Sequence, residues 1–124
     1  MHFFTRTIAT ALLAVSTVGT AWAQAGEPLV VIRFNQRYVH YEQQLYKAMQ
    51  QAVAIKPELM VDVVSYSPET GDSDLNEQWQ QAASVHTQKV VATLQQMGVP
   101  RSRIAVTGQR LNGIKTDETH IFVR

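Results

Sequence analysis

The sequence contains no cysteine. That excludes disulfides, thiol catalysis, thiolate metal sites and a lipidated N-terminal Cys. Neither sign of charge is in excess. The 11 Lys and Arg stand against 10 Asp and Glu, without the basic clustering that a nucleic-acid surface needs. His40, His86 and His120 show no H-x-x-x-H or H-E-x-x-H spacing, so no metal site is expected. No G-x-S-x-G frames Ser67 or Ser84, and no nucleophile–base pair stands out. No cofactor is expected, and catalysis is not. There is no internal repeat and no low-complexity tract. The 124 residues allow one domain with one modest core.

The apolar residues that are present begin at the N-terminus. Met1 to Ala23 has a basic start (His2, Arg6), an apolar run from about Ile8 to Val18, and an Ala21-Trp22-Ala23 end. This is the pattern of a secretory signal peptide with an A-x-A site, so cleavage is expected after Ala23. The run is shorter than the roughly 20 residues that span a bilayer, and Thr10, Ser16 and Thr17 interrupt it. Loss of Arg6 leaves the mature chain formally neutral. That chain, 24–124, has no second apolar span and is expected to be soluble.

After a short lead at 24–28, Leu29 to Phe34 reads as a strand. From Tyr38 the apolar residues fall at 38, 41, 45, 48, 49 and 52, which is helical spacing. Lys56-Pro57 ends that helix, because a residue before proline leaves the α region. Met60 to Tyr66 predicts a second strand. Ser67 to Asp74 reads as an acidic loop, with Glu69, Asp72 and Asp74 and no base. A long helix follows from Leu75 to Met97, with Asp74 or Ser73 as its N-cap. Trp79, Ala83, His86, Val90, Leu94 and Met97 form its apolar stripe, within a sector of about 80°. Gly98 and Pro100 stop it. Ile104 to Gly108 predicts a third strand. Gln109 to Glu118 reads as a polar loop turning at Asn112-Gly113, and His120 to Val123 as the last strand.

The order β-α-β-α-β-β predicts an α/β, or α+β sandwich, domain over residues 29–124. The two strand–helix–strand connections are crossovers, expected to be right-handed and to give parallel neighbours. The last strand returns without a helix and should pair antiparallel. The expected result is a mixed four-stranded sheet with two helices on one face.

Two local phrases, taken with this layout, resemble the OmpA-like (OmpA/MotB C-terminal) domain. Pro57-Glu58-Leu59-Met60-Val61-Asp62-Val63 is similar to that family's "NP-x-L-x-V-x-V". Gly98 to Gly108, reading GVPRSRIAVTG, is similar to its "GVP-x-xRI-x-x-x-G". The resemblance covers nearly all of the mature chain. It implies an OmpA-like fold and a place in the Gram-negative periplasm, where that family binds peptidoglycan.

The family's functional motifs are altered in this chain. Where the family has "G-H-T-D", whose Asp holds the diaminopimelate of the stem peptide, stand Ser65-Tyr66-Ser67-Pro68. Counting back from Gly98, His86 replaces the helix Arg that pairs with the ligand carboxylate. Asp117-Glu118-Thr119-His120-Ile121 aligns with "R-R-V-E-I" and lacks both arginines. Proline carries neither charge nor N–H, and a histidine lacks the guanidinium fork. Standard peptidoglycan recognition is therefore expected to be lost.

What remains of the ligand site on this resemblance is Tyr66, Ser67, Pro68, His86 and Arg110. His86 reads either as an altered ligand contact or as a core-facing histidine bonded to backbone. The Gln-rich helix faces (Gln43, Gln44, Gln50, Gln51, then Gln78 to Gln96) carry few charges. They suit either a solvated surface or a protein held in an assembly. With no anchor or linker read in the mature chain, a subunit held by periplasmic or outer-membrane partners is the leading expectation. Such a subunit would be a structural or adaptor component of an envelope assembly, for example a secretion apparatus. A peptidoglycan module with a rearranged pocket comes second. A small periplasmic hydrolase comes third.

Overall fold

The computed structural model describes residues 26–124. The expected signal peptide at 1–23 and the first part of the lead lie outside the described residues. Within them the order is β1 (Val30–Arg33), α1 (Glu42–Ile55), β2 (Val61–Pro68), α2 (Ser73–Gln96), β3 (Ile104–Leu111) and β4 (Glu118–Val123). A 3-10 turn, Arg101–Arg103, leads into β3.

The four strands form one mixed sheet in the order β1-β4-β2-β3. β2 and β3 are parallel neighbours, and β4 runs antiparallel to both β1 and β2. This is the mixed four-stranded α+β sheet with two helices that the pattern predicts. One relationship differs. β1 and β2 are parallel but not adjacent, because β4 inserts between them.

Alternation along the strands explains the core. Val61 and Val63 of β2, Ile121 of β4, and Val30 and Ile32 of β1 share one face. They join one buried cluster with Leu45 and Met49 of α1 and Val90 and Leu94 of α2. Both helices thus cover the same face, with α1 over β1 and α2 over β2 and β4. Each large aliphatic side chain removed from water here contributes about 1.5–3 kcal/mol. Val64 and Phe122 are also buried but lie outside this cluster, on the opposite face.

Boundaries shift where backbone pairing, which side-chain patterns do not report, decides them. β2 continues through Ser67 and Pro68, and β3 through Gln109 to Leu111, because the parallel ladder runs on to Pro68 opposite Leu111. The β2–β4 ladder stops at Tyr66 opposite Glu118. Pro68 therefore sits where the strand has one neighbour, and a missing N–H is tolerated there. α1 begins at Glu42 rather than Tyr38, and Tyr38 is largely exposed beneath the Arg37 guanidinium. The N-cap of α2 is Asp72, not Asp74 or Ser73. Its side chain accepts from the N–H groups of Asp74 at 2.9 Å and Leu75 at 3.2 Å.

The end of α2 follows its sequence signal. Gly98 adopts φ +106°. Its N–H bonds Gln95 O, and the Val99 N–H bonds Leu94 O at 3.1 Å. This 5→2 and 6→1 pairing is the Schellman arrangement, which satisfies carbonyls that the helix end leaves open. On the far face of the sheet Arg124 clamps Asp62 at 2.8 and 3.3 Å. That hydrogen bond holds the guanidinium above its ordinary pKa.

Candidate functional site

The sheet splits the five candidate residues between its two faces. Ser67 is buried and lies on the helix face, in register with Arg110 of β3. Tyr66 falls on the opposite face, where its ring meets His120 edge-on at 4.6 Å. Pro68, two residues further on, shares the Tyr66 side by alternation. His120 in turn bonds Glu118 at 2.8 Å, and Glu118 meets Arg33 at 3.5 Å. The five residues therefore do not converge on one pocket.

His86 is pinned elsewhere. Its Nδ1–H donates to Asp117 Oδ2 at 2.8 Å. The Asp117 side chain is 2% exposed, and that of His86 is 33% exposed. The partner is thus a carboxylate, not a backbone carbonyl. Phe34 stacks flat on the imidazole, with centroids 4.1 Å apart and rings 5° from parallel. Backbone pairing sets this stack, because the Phe34 N–H bonds Asp117 O at 3.0 Å just beyond the β1–β4 ladder. Phe34 also meets Tyr41 edge-on at 6.2 Å, and Tyr41 bonds Thr93 on α2. A carboxylate that orients an imidazole is two-thirds of a hydrolytic triad. Among the described residues no hydroxyl is hydrogen-bonded to the other ring nitrogen.

The acidic loop is less isolated than its sequence suggests. Arg110 comes across from β3 to stand 3.8 Å from Glu69 Oε1 and 3.2 Å from Gln80 Oε1. The loop itself is built on Asn76, which sequence reasoning passes over. Asn76 is buried, and its Oδ1 accepts from the Thr70 N–H and hydroxyl, each at 2.7 Å. Its Nδ2 donates to Glu69 Oε2 and Thr70 O, both at 3.1 Å. An asparagine in the first turn of a helix is the one local hint, since Asn favours caps and turns over helix interiors. Asp117 offered no such hint. Among the described residues no group of three His, Asp or Glu is placed to hold a metal, and no helix is long and apolar enough to cross a membrane.

A separate cleft of about 640 Å³ runs between α2 and β3. It exists because the helices cover β1, β4 and β2 and leave β3 bare, with only Ile104 of that strand buried. Its floor is built from small residues, Ser65, Ser67 and Gly108, and Gln80, Ser84 and Gln88 form its helical wall.

Among solved structures, the OmpA-like domain of FopA1 from Francisella tularensis subsp. tularensis SCHU S4 is similar, with a TM-score of 0.57. The match covers 75% of this chain and 70% of that one at 14% sequence identity. The fold is OmpA-like. No family model matches the chain, and no curated protein matches it. At this identity the likeness carries the OmpA-like architecture and not a ligand.

Proposed function

We propose that this chain is a non-catalytic component of the cell envelope, periplasmic after export, that works through protein contacts rather than peptidoglycan. The OmpA-like fold supports the envelope assignment, and the secretory leader read in the sequence supports the compartment. One observation carries the loss of the ligand pocket: His86 is already paired with Asp117 at 2.8 Å. On the alignment above, His86 stands where the family has an arginine for the ligand's carboxylate. Asp117 is an internal carboxylate that answers it, so a ligand carboxylate would have to displace a buried anion. In this reading the protein is an adaptor or structural subunit of an envelope assembly, such as a secretion apparatus.

A second reading rests on Glu69 and Arg110. They bring an anion and a fork-shaped cation within 3.8 Å of each other, both partly exposed. That is the charge pair a zwitterionic stem-peptide end requires, relocated to the loop–β3 junction. Co-sedimentation with purified sacculi separates the two, with a peptidoglycan-binding OmpA-like domain as the positive control. The adaptor reading expects this protein in the supernatant and envelope proteins in its pull-downs. Sedimentation as strong as the control's, abolished by Arg110→Gln, would replace the first reading with the second.

A further inference from the structure

β3 is an edge strand eight residues long, and among the described residues nothing pairs with its outer side. Such an edge presents a row of free N–H and C=O groups. Edge strands are usually blunted by charge, prolines or bulges. Between Arg101, whose guanidinium donates to Ile104 O, and Arg110, the stretch from Ala105 to Gln109 has none of these.

The cleft between α2 and β3 runs beside that edge, and its chemistry narrows the occupant. Its polar lining is hydroxyl and carboxamide, set beside the apolar Ala83, Val91 and Val106, with no carboxylate, one guanidinium (Arg101) and no aromatic ring. A sugar site would be expected to offer a stacking face. A Cβ at Gly108 would meet nothing within 4 Å, so the floor is open there.

We propose that this cleft and edge bind an extended polypeptide segment from a partner protein, added along β3 as a fifth strand. Main-chain groups of the segment pair with β3, and alternate side chains enter the cleft over Gly108. The segment is uncharged except for a carboxylate where it passes Arg101. The proposal rests on the adaptor reading above and gives it a surface and a class of partner.

The probe is a phage-displayed library of random twelve-residue peptides, selected on the full chain expressed for export. Recovered peptides are then synthesised and titrated by fluorescence anisotropy. Gly108→Val fills the floor with a residue that suits a strand, and Ser84→Tyr fills the cleft from the exposed helix wall. Each is expected to weaken binding more than tenfold with circular dichroism unchanged, and either one suffices should the other misfold. Bound peptide is expected to slow amide exchange within Ile104–Leu111. Failure to recover any peptide, or binding insensitive to both folded variants, overturns the proposal. So does chitotetraose binding with the same sensitivity, which points to a glycan, or a dimer lost on Gly108→Val, which points to a second copy. Sedimentation with sacculi would sink the adaptor reading alone and leave a Gly108-dependent peptide site standing.

Discussion

Asp117 accepts a 2.8 Å hydrogen bond from His86 across 31 residues of chain, and Phe34 closes over the imidazole at 4.1 Å. Three elements meet there: the end of β1, the middle of α2 and the approach to β4. The pair therefore ties the long helix to the half of the sheet that carries β1. Its carboxylate is almost wholly withdrawn from water, while its imidazole is not. The burden of desolvation falls on Asp117, and His86 is what compensates it.

His86→Ala should accordingly destabilise the fold by about 2–3 kcal/mol, since it leaves a buried carboxylate without its partner. His86→Arg should be nearly neutral, because a guanidinium can still answer Asp117. For the same reason the Pro68→Asp/His86→Arg double variant should gain no affinity for sacculi, as Asp117 would hold the introduced cation. Urea unfolding and sacculus sedimentation check the two parts. An unchanged midpoint for His86→Ala would show that Asp117 is not held by His86.

Asn76→Ala should destabilise by about 2 kcal/mol, because it orphans the Thr70 N–H and frees the loop that leads from β2 into α2. Asp72→Ala removes the helix N-cap at about 1 kcal/mol. Thr70 joins the two, since its hydroxyl bonds Asn76 Oδ1 at 2.7 Å and it also accepts from the Asp72 N–H at 3.0 Å. The double variant should therefore fall short of the sum. Simple additivity in a thermal-melt cycle would mean that the two act independently.

The elements were legible in the sequence because the periodicities are strong, and their arrangement was less so. Valines at 61 and 63 and the 83–90–94 stripe mark β2 and α2 without help. The parallel sense of β1, β2 and β3 follows from the helices between them. Nothing in a side-chain pattern tells β4 to enter between β1 and β2 rather than join an edge. The ends of β2 and β3 are held by backbone bonds, so Gln109 to Leu111 look like loop. The site was harder still. Arg110 reaches Glu69 only after β3 aligns with β2, and Asp117 reaches His86 only after β4 is placed. Such pairs come from topology and have no spacing to read.

The Arg124–Asp62 clamp should be worth no more than about 1 kcal/mol, because the arginine is half exposed. The bond raises the guanidinium pKa. A raised folded-state value means that this stabilisation is present throughout the range below the free arginine value and is lost only in strong alkali. Arg124→Gln should therefore lower stability by the same small amount at pH 6 and pH 9, and the difference from wild type should shrink in roughly 1 M salt. A difference that changes between those two pH values would show that the arginine does more than pair with Asp62.

Gly98 and Gly108 separate backbone strain from open space. A Cβ would meet nothing within 4 Å at either position, but only Gly98 has a left-handed φ, +106°. Gly98→Ala should therefore cost about 1 kcal/mol, since the Schellman end of α2 must be held by a residue that disfavours that region. Gly108→Ala should be neutral or slightly stabilising, because a strand residue with a side chain has less freedom to lose. Chemical denaturation of both variants decides it. If Gly108→Ala destabilised as much as Gly98→Ala, β3 would need its glycine for its own folding. The open floor of the cleft would then be a by-product of backbone need, and not a space kept for a ligand.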